Sequence, residues 1–428
     1  LVVSLDTLRS DHLPLYGYDR PTAPTLGAIA IEGATMERTW SMAPQTDGTH
    51  AAMFTGRFAS SHGKFDHHHK LPSDELTFAE HFRENGYRTW AVATSLKFLR
   101  KSGFDQGFED WDLFAEGRVV PRGDEALARA LEQMPADGDT PWLGFVHLFD
   151  VHAPYTPPQP HRGLFLDGQP AIKPRNTIRW LRKHRRDRTL PPHKLRTLVD
   201  LYDGGIHHVD TRVSALWAAA KDTRRDTIVV ITSDHGEAFH EHQYLGHSEV
   251  LWEEVMRIPW IVWAPGRVQP DQRIDTVAQT ADLYPTIVEL AALPPAPDRD
   301  GVSFAPVLRG DGPPPAADRL VALQENDHWG IVRQLPEGLF KLTTRVGAQK
   351  RDRLAAGKET SIVDAELYNL TVDPGERQDI AAHEPAIRDR LIDDLKALGS
   401  DDWDRNTEAR TDMTEDELEG LRAIGYVD

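Results

Sequence analysis

Two short apolar runs, each rich in β-branched residues and each stopping at an acidic group, constrain this chain more than any other feature. Leu1-Val2-Val3-Ser4-Leu5 ends at Asp6, and Thr227-Ile228-Val229-Val230-Ile231-Thr232 ends at Ser233-Asp234-His235-Gly236. Runs of this length that are apolar on both faces suit central strands of a parallel sheet, where helices cover both sides. Polar residues just past the carboxyl ends of such strands lie where open α/β sheets place their ligands. Asp6 and the Asp234-His235 pair are therefore candidate site residues. An Asp after a strand also serves as an ordinary cap or turn residue, so the surrounding text has to decide.

Helical patterns at 78–85, 125–133 and about 195–220 alternate with strand patterns at 87–93, 142–148 and 259–263. This alternation predicts an α/β fold, a doubly wound, mostly parallel sheet flanked by helices. Pro-rich stretches at 293–297 and 313–315 mark surface connections. Residues 320–370 then read as short strands with turns, and 384–398 as a helix. The expected division is a large domain over 1–317 and a small C-terminal α+β subdomain over 318–428.

Composition narrows the partners. Lys and Arg number 49 against 67 Asp and Glu, a net charge of −18. Such a field repels phosphate backbones, so no nucleic-acid partner is expected, and an anionic substrate needs local compensation by metal or by Arg, Lys and His. The chain has no cysteine, which excludes disulfides, thiolate metal sites and thiol nucleophiles. No stretch approaches the roughly 18 uncharged apolar residues of a membrane span. Neither a Met nor a charged leader precedes Leu1; cytoplasm and periplasm both remain compatible, and the oligomeric state is open.

The text around the acidic groups carries more. Ser4-Leu5-Asp6-Thr7-Leu8-Arg9-Ser10-Asp11-His12 is followed by Tyr16-Gly17-Tyr18, then by Ala43-Pro44-Gln45-Thr46-Asp47-Gly48-Thr49-His50, Thr55-Gly56-Arg57 and His62-Gly63. Further on come Asp150-Val151-His152-Ala153-Pro154-Tyr155, Ser233-Asp234-His235-Gly236-Glu237, Leu245-Gly246-His247, Arg257-Ile258-Pro259 and Asp282-Leu283-Tyr284-Pro285-Thr286. In this order, over nearly the whole chain, these motifs resemble sulfatase-like enzymes of the alkaline phosphatase superfamily. The resemblance implies a metal-dependent hydrolase or transferase of phosphate or sulfate esters. It implies that Asp6, Asp234 and His235 are metal ligands, and that Thr46 is both nucleophile and ligand. His152 and His247 match histidines that the family places around the transferred group, where His is a natural proton donor. His50 stands in place of a family Arg that supports the nucleophile and the anion. Thr7 and Lys97 are the candidate substrate-binding residues, although Thr7 replaces a frequent second Asp and Lys97 lacks the family's Gly-Lys context. Two carboxylates and an imidazole accept Mn, Zn, Mg or Ca, and the loss of a carboxylate at Thr7 tilts the expectation toward Mn or Zn.

The nucleophile is the main departure. Sulfatases carry Cys or Ser there and oxidise it to formylglycine; Thr46 does not match that modification, so no formylglycine is expected. An ester on Thr46 has no second hydroxyl to expel the bound group, so water or a second alcohol must attack it directly. Some phosphodiesterase and phosphoethanolamine-transferase branches of the superfamily use a Thr here, which places phosphate-type esters, such as phosphodiesters or phosphonate monoesters, first. Two alternatives stay open: a sulfatase acting without formylglycine, and a non-catalytic anion-binding homologue. The substrate is expected to be small, or linked to lipid or sugar. Thr46 also reads as a plain helix N-cap, and Asp210 as a structural residue on its helix. The His67-His68-His69 run and the basic stretch 175–188 read as solvated segments, the latter with some capacity to attract an anionic substrate or lipid surface.

Overall fold

The two acid-ended runs lie side by side at the centre of one sheet. The computed structural model describes residues 1–114, 123–134, 140–223, 226–325, 328–345, 362, 364–398 and 414–423. In chain order its first strands are β1 (Val2–Leu5), β2 (Ala34–Trp40), β3 (Arg88–Ala93), β4 (Asp110–Leu113), β5 (Trp142–Leu148) and β6 (Val229–Ser233). They are followed by β7 (Ala238–Phe239), β8 (Leu245–Gly246), β9 (Arg257–Trp263), β10 (Gln272–Ile274) and β11 (Ala278–Gln279). The main sheet runs β10-β2-β9-β6-β1-β5-β3-β4, with β11 also on β2, while β7 and β8 form a separate hairpin. Val2 to Leu5 pair in parallel with Val230 to Ser233 on one side and with Phe145 to Leu148 on the other. β9 runs antiparallel to both β2 and β6, a reversal that side-chain periodicity does not report. The run expected to start at Thr227 enters the sheet at Val229.

Burial explains the placement. Val3, Leu5, Val146, Leu148, Val229 and Ile231 join one apolar cluster, whereas Val2, Phe145 and Val230 join another on the opposite face. The strands are apolar on both faces because both faces are covered. The long helix Pro192–Asp222 packs on the first face. From it Asp210 accepts the backbone N–H groups of Thr25 and Leu26, each at 2.9 Å, and so does the work of an N-cap for the helix Pro24–Glu32. The true N-cap residue there, Ala23, has no side chain able to do so. Asp210→Ala should cost about 1–2 kcal/mol by orphaning both donors. An earlier unfolding midpoint in urea checks this, and an unchanged midpoint counts against it.

The smaller sheet runs β12 (Leu320–Gln324), β13 (His328–Leu335), β14 (Gly338–Arg345) and β15 (Ala365–Asn369), all antiparallel, with the helix Pro385–Leu398 alongside. Residues 346–361 of the segment expected to hold short strands lie outside the described residues. This small C-terminal subdomain is tied to the large sheet by buried polar contacts. Lys341 Nζ on β14 lies 2.9 Å from Glu253 Oε1 and 2.8 Å from Glu376 Oε1. Glu376 Oε2 accepts the Glu253 N–H at 2.7 Å, and Trp40 Nε1 of β2 donates to Glu253 Oε1 at 2.8 Å. A second link is Gln45 Nε2, which donates to both oxygens of Glu325 at 2.8 and 3.0 Å, just past the end of β12.

Candidate active site

Asp6 follows β1 and Asp234-His235 follow the adjacent β6, so parallel pairing alone brings them together. One ligand atom from each of Asp6, Asp234 and His235 lies within 4.8 Å of the others, and all three residues are buried. Asp234 Oδ1 accepts the N–H groups of Thr7 at 3.1 Å and His235 at 2.8 Å, while Oδ2 has no hydrogen-bond partner among the described residues. His235 Nδ1 donates to the Gly236 carbonyl at 3.0 Å, which leaves Nε2 as the lone-pair nitrogen. That nitrogen also lacks a hydrogen bond among the described residues and sits 3.4 Å from Asp234 Oδ2. Burial and the neighbouring Asp234 charge raise the Asp6 carboxyl well above its ordinary range. Two buried carboxylates side by side are costly without a cation between them. The orphaned Oδ2 and Nε2 atoms and the mixed oxygen and nitrogen donors thus fit a divalent metal ion.

Thr46 opens the helix Thr46–Thr55 and is wholly buried. It is the first helical residue and not the N-cap; that position belongs to Gln45, which corrects the plain capping reading. The N–H groups of this first turn and the helix dipole favour negative charge beside Thr46.

His50 takes a different part from the expected one. Its Nδ1 donates to the Thr46 carbonyl at 2.8 Å and its Nε2 accepts from Ser4 Oγ at 2.9 Å. Both nitrogens are spent inside the protein, and burial pushes the imidazole down to about 4, so it is neutral near pH 7 and has no proton for an anion. His50 braces the Thr46 turn against β1, with Nδ1 3.9 Å from Asp234 Oδ2. Thr7 needs a similar correction. Its hydroxyl donates to the Asp6 carbonyl at 2.7 Å and its own carbonyl accepts from Tyr202 at 2.6 Å, so it fixes the ligand turn and does not present a donor to a substrate.

Positive charge comes instead from two lysines flanking Asp47. Lys64 Nζ lies 3.0 Å from Asp47 Oδ1 and Lys97 Nζ 2.7 Å from Asp47 Oδ2, with all three buried. Burial would raise the Asp47 carboxyl, but the two ammonium groups bring it down to about 2. Two cations on one anion leave a net positive charge next to Thr46. Lys64 also donates to the His69 carbonyl at 2.6 Å, and His69 Nδ1 bonds Asp66, so the histidine run shapes the lysine's loop.

His152 and His247 reach the metal-ligand cluster from the other side. The His247 ring centroid is 4.4 Å from that of His235 and 5.0 Å from that of His152. His152 Nδ1 donates to the Ala153 carbonyl at 2.6 Å, and His247 Nδ1 lies 3.1 Å from Glu237 Oε1. In His152 Nε2 accepts no hydrogen bond from the described residues, and in His247 Nε2 is the nitrogen that does not face Glu237. Burial lowers both, His152 to about 3.

Sequence reasoning missed His147, Asp47, Lys64 and Glu237. His147 stands on β5 opposite Ser4, with Nε2 3.2 Å from Asp6 Oδ2, and forms a second buried cluster with His50 and Asp234. Its signal was a lone imidazole inside an otherwise apolar strand.

A mostly parallel sheet with two carboxylates and an imidazole at its carboxyl edge, beside the first turn of a helix that begins with Thr46, belongs to the alkaline-phosphatase-like class of folds. The Sulfatase family model matches residues 1–293, and the chain belongs to that family. It is 28% identical over 202 residues to the Delta 4,5-hexuronate-2-O-sulfatase of Bacteroides thetaiotaomicron, covering 46% of this chain and 39% of that protein. It is 24% identical over 349 residues to the ulvan-active sulfatase of Formosa agariphila, covering 73% of this chain and 65% of the relative. The matches thus span less than two thirds of either relative's length. Among solved structures, the phosphonate monoester hydrolase of Agrobacterium radiobacter aligns with a TM-score of 0.73 at 19% identity, over 93% of this chain and 94% of its own. A protein in complex with its substrate D-glucosamine-2-N,6-O-disulfate aligns with a TM-score of 0.75 at 18% identity, over 95% and 99%. At these identities the structural likeness speaks for the fold alone.

Proposed function

We propose that this chain is a metal-dependent hydrolase or transferase of phosphate-type esters, such as phosphodiesters or phosphonate monoesters, that uses Thr46 as its nucleophile. The observation that carries the reading is the placement of Thr46. It begins a buried helix whose second residue, Asp47, is clasped by Lys64 and Lys97, and whose His50 ties the Thr46 carbonyl to Ser4 of β1. A divalent ion held by Asp6, Asp234 and His235, with Thr46 as a further ligand, supplies Lewis-acid charge that acidifies a hydroxyl and offsets ester oxygens when bound; its identity as Mn, Zn, Mg or Ca is left to measurement. The lysine pair and the helix N–H groups attract the anion. Thr46 Oγ1 forms the new bond to phosphorus as the ester oxygen leaves. Nε2 of His152 or His247 carries the proton that Thr46 sheds to the departing oxygen. Water, or a second alcohol in a transferase, then attacks the threonine ester and restores the hydroxyl.

The names of the relatives favour a second reading, a sulfatase that works without formylglycine. Steady-state turnover of matched aryl phosphate, phosphonate, phosphodiester and sulfate esters, with metal content measured on the same sample, separates the two. The expected result is phosphorus ester cleavage with bound metal; exclusive sulfate cleavage would overturn the preference, and neither metal nor turnover would indicate the anion-binding homologue.

A further inference from the structure

The basic stretch that the sequence suggested was a solvated face comes up against the candidate active site. The helix Thr177–His184 and the residues after it place Arg182 and Arg185 in one small pocket with His152, His247, Glu237 and Gly246. Arg185 is fixed there by backbone, because its carbonyl accepts the Leu245 N–H of β8 at 3.0 Å, two residues before His247. Its guanidinium reaches over that strand: a Cβ placed on Gly246 would meet Arg185 Nη2 at 3.9 Å and Glu237 Oε1 at 3.6 Å. The Tyr244 ring lies 5.9 Å from the guanidinium carbon.

Arg185 is half-buried beside the site and yet has no ion-pair partner among the described residues. In a chain with 18 more acidic than basic groups, the neighbouring Arg186 pairs with Glu249 and His184 with Asp187. Among the described residues no carboxylate lies within ion-pair distance of Arg185, and its Nε is buried with no hydrogen-bond partner. Glu237 feels the Arg185 charge across the pocket, but its Oε1 is engaged with His247 Nδ1 at 3.1 Å. A half-buried guanidinium without a counter-ion, on the side of the site where the two histidines meet the departing oxygen, is matched to an anion that arrives with the substrate.

We propose that Arg185, with Arg182 beside it, forms a subsite for a second anionic group carried by the alcohol part of the ester. The natural substrate is then an ester whose leaving alcohol bears its own carboxylate or sulfo group, and Arg185 selects it. This rests on the reading of Thr46, His152 and His247 as a site of ester cleavage, and the test is built so that the two can fail separately.

The first arm uses binding and needs no turnover. Calorimetry on the metal-loaded full chain compares 4-nitrophenol with 5-hydroxy-2-nitrobenzoate and 5-hydroxy-2-nitrobenzenesulfonate. The expected result is that at least one anionic phenol binds about tenfold or more tightly than 4-nitrophenol, and that Arg185→Met removes most of this difference. The tighter of the two anions identifies the natural group. Arg179→Met takes the same charge from an exposed position on the helix that precedes Arg185 and should leave the ratio unchanged. The second arm compares kcat/KM for the corresponding phosphate and sulfate esters, where Arg185→Met should reduce the preference for the anionic leaving group by the same factor. Equal binding of all three phenols, or an equal loss in the Arg179 and Arg185 variants, overturns the subsite. Selective binding through Arg185 with no ester cleaved by the wild type supports the subsite and instead overturns the reaction.

Discussion

Thr46→Ala is expected to lower kcat by on the order of a thousandfold or more on any ester the wild type cleaves, while metal content stays near that of the wild type. Thr46 is the hydroxyl residue at the buried start of the helix Thr46–Thr55, next to the lysine-clasped Asp47, whereas the Thr49 hydroxyl donates to the Ala43 carbonyl. The alanine is expected to keep the helix, since Thr46 is its first helical residue and not its N-cap. Thr46→Ser restores the hydroxyl and should recover most of the rate, which separates lost chemistry from lost folding. Steady-state rates, elemental analysis and a melting curve on each variant make the comparison. An alanine variant with wild-type kcat would leave the threonine without a chemical role and point to an external water as the attacking group.

The second large effect concerns stability. Lys341→Ala removes the ammonium between Glu253 and the buried Glu376 and leaves two carboxyls facing each other, a loss of about 3–5 kcal/mol. Adding Glu376→Gln to Lys341→Met removes the stranded charge and should return much of that loss. The effect has a direction with pH. Burial raises Glu376 from 4.5 to about 7 even though Lys341 pulls the other way. An acid whose folded pKa is raised favours the folded state fully below its unfolded pKa, and that contribution is lost as pH rises through the folded value. Without Lys341 the carboxyl is pushed higher still, so the destabilisation of Lys341→Ala should change little from pH 5 to 7 and deepen as pH rises from about 7 to 9. Unfolding midpoints in urea across that range test it, and a pH-independent loss would show that the ammonium acts by packing alone.

Much of this arrangement was legible in the chain. Apolar runs ending in Asp6 and Asp234 report strands whose ends converge, because a buried parallel strand must be apolar on both faces and can turn polar only where it leaves the sheet. The helix 195–220 and the strand 142–148 were readable for the same reason. His50 was not readable, because its task depends on Ser4, a neighbour 46 positions away that only the folded sheet supplies. The Lys64-Asp47-Lys97 group was hidden in the same way: a buried ion triad leaves no periodic trace, and Lys64 lies in a loop whose text looks solvated. Arg185 was visible as charge, but its lack of an ion pair among the described residues is a property of three dimensions.

The contact between Gln45 and Glu325 has an evolutionary consequence. The residue immediately before the proposed nucleophile is anchored by the end of β12, so the terminal sheet is part of the scaffold that aims Thr46. A gene fusion or recombination event that replaced everything after about residue 317 would exchange that anchor as well. Drift at Gln45 would then have to be matched at Glu325 for that anchor to persist.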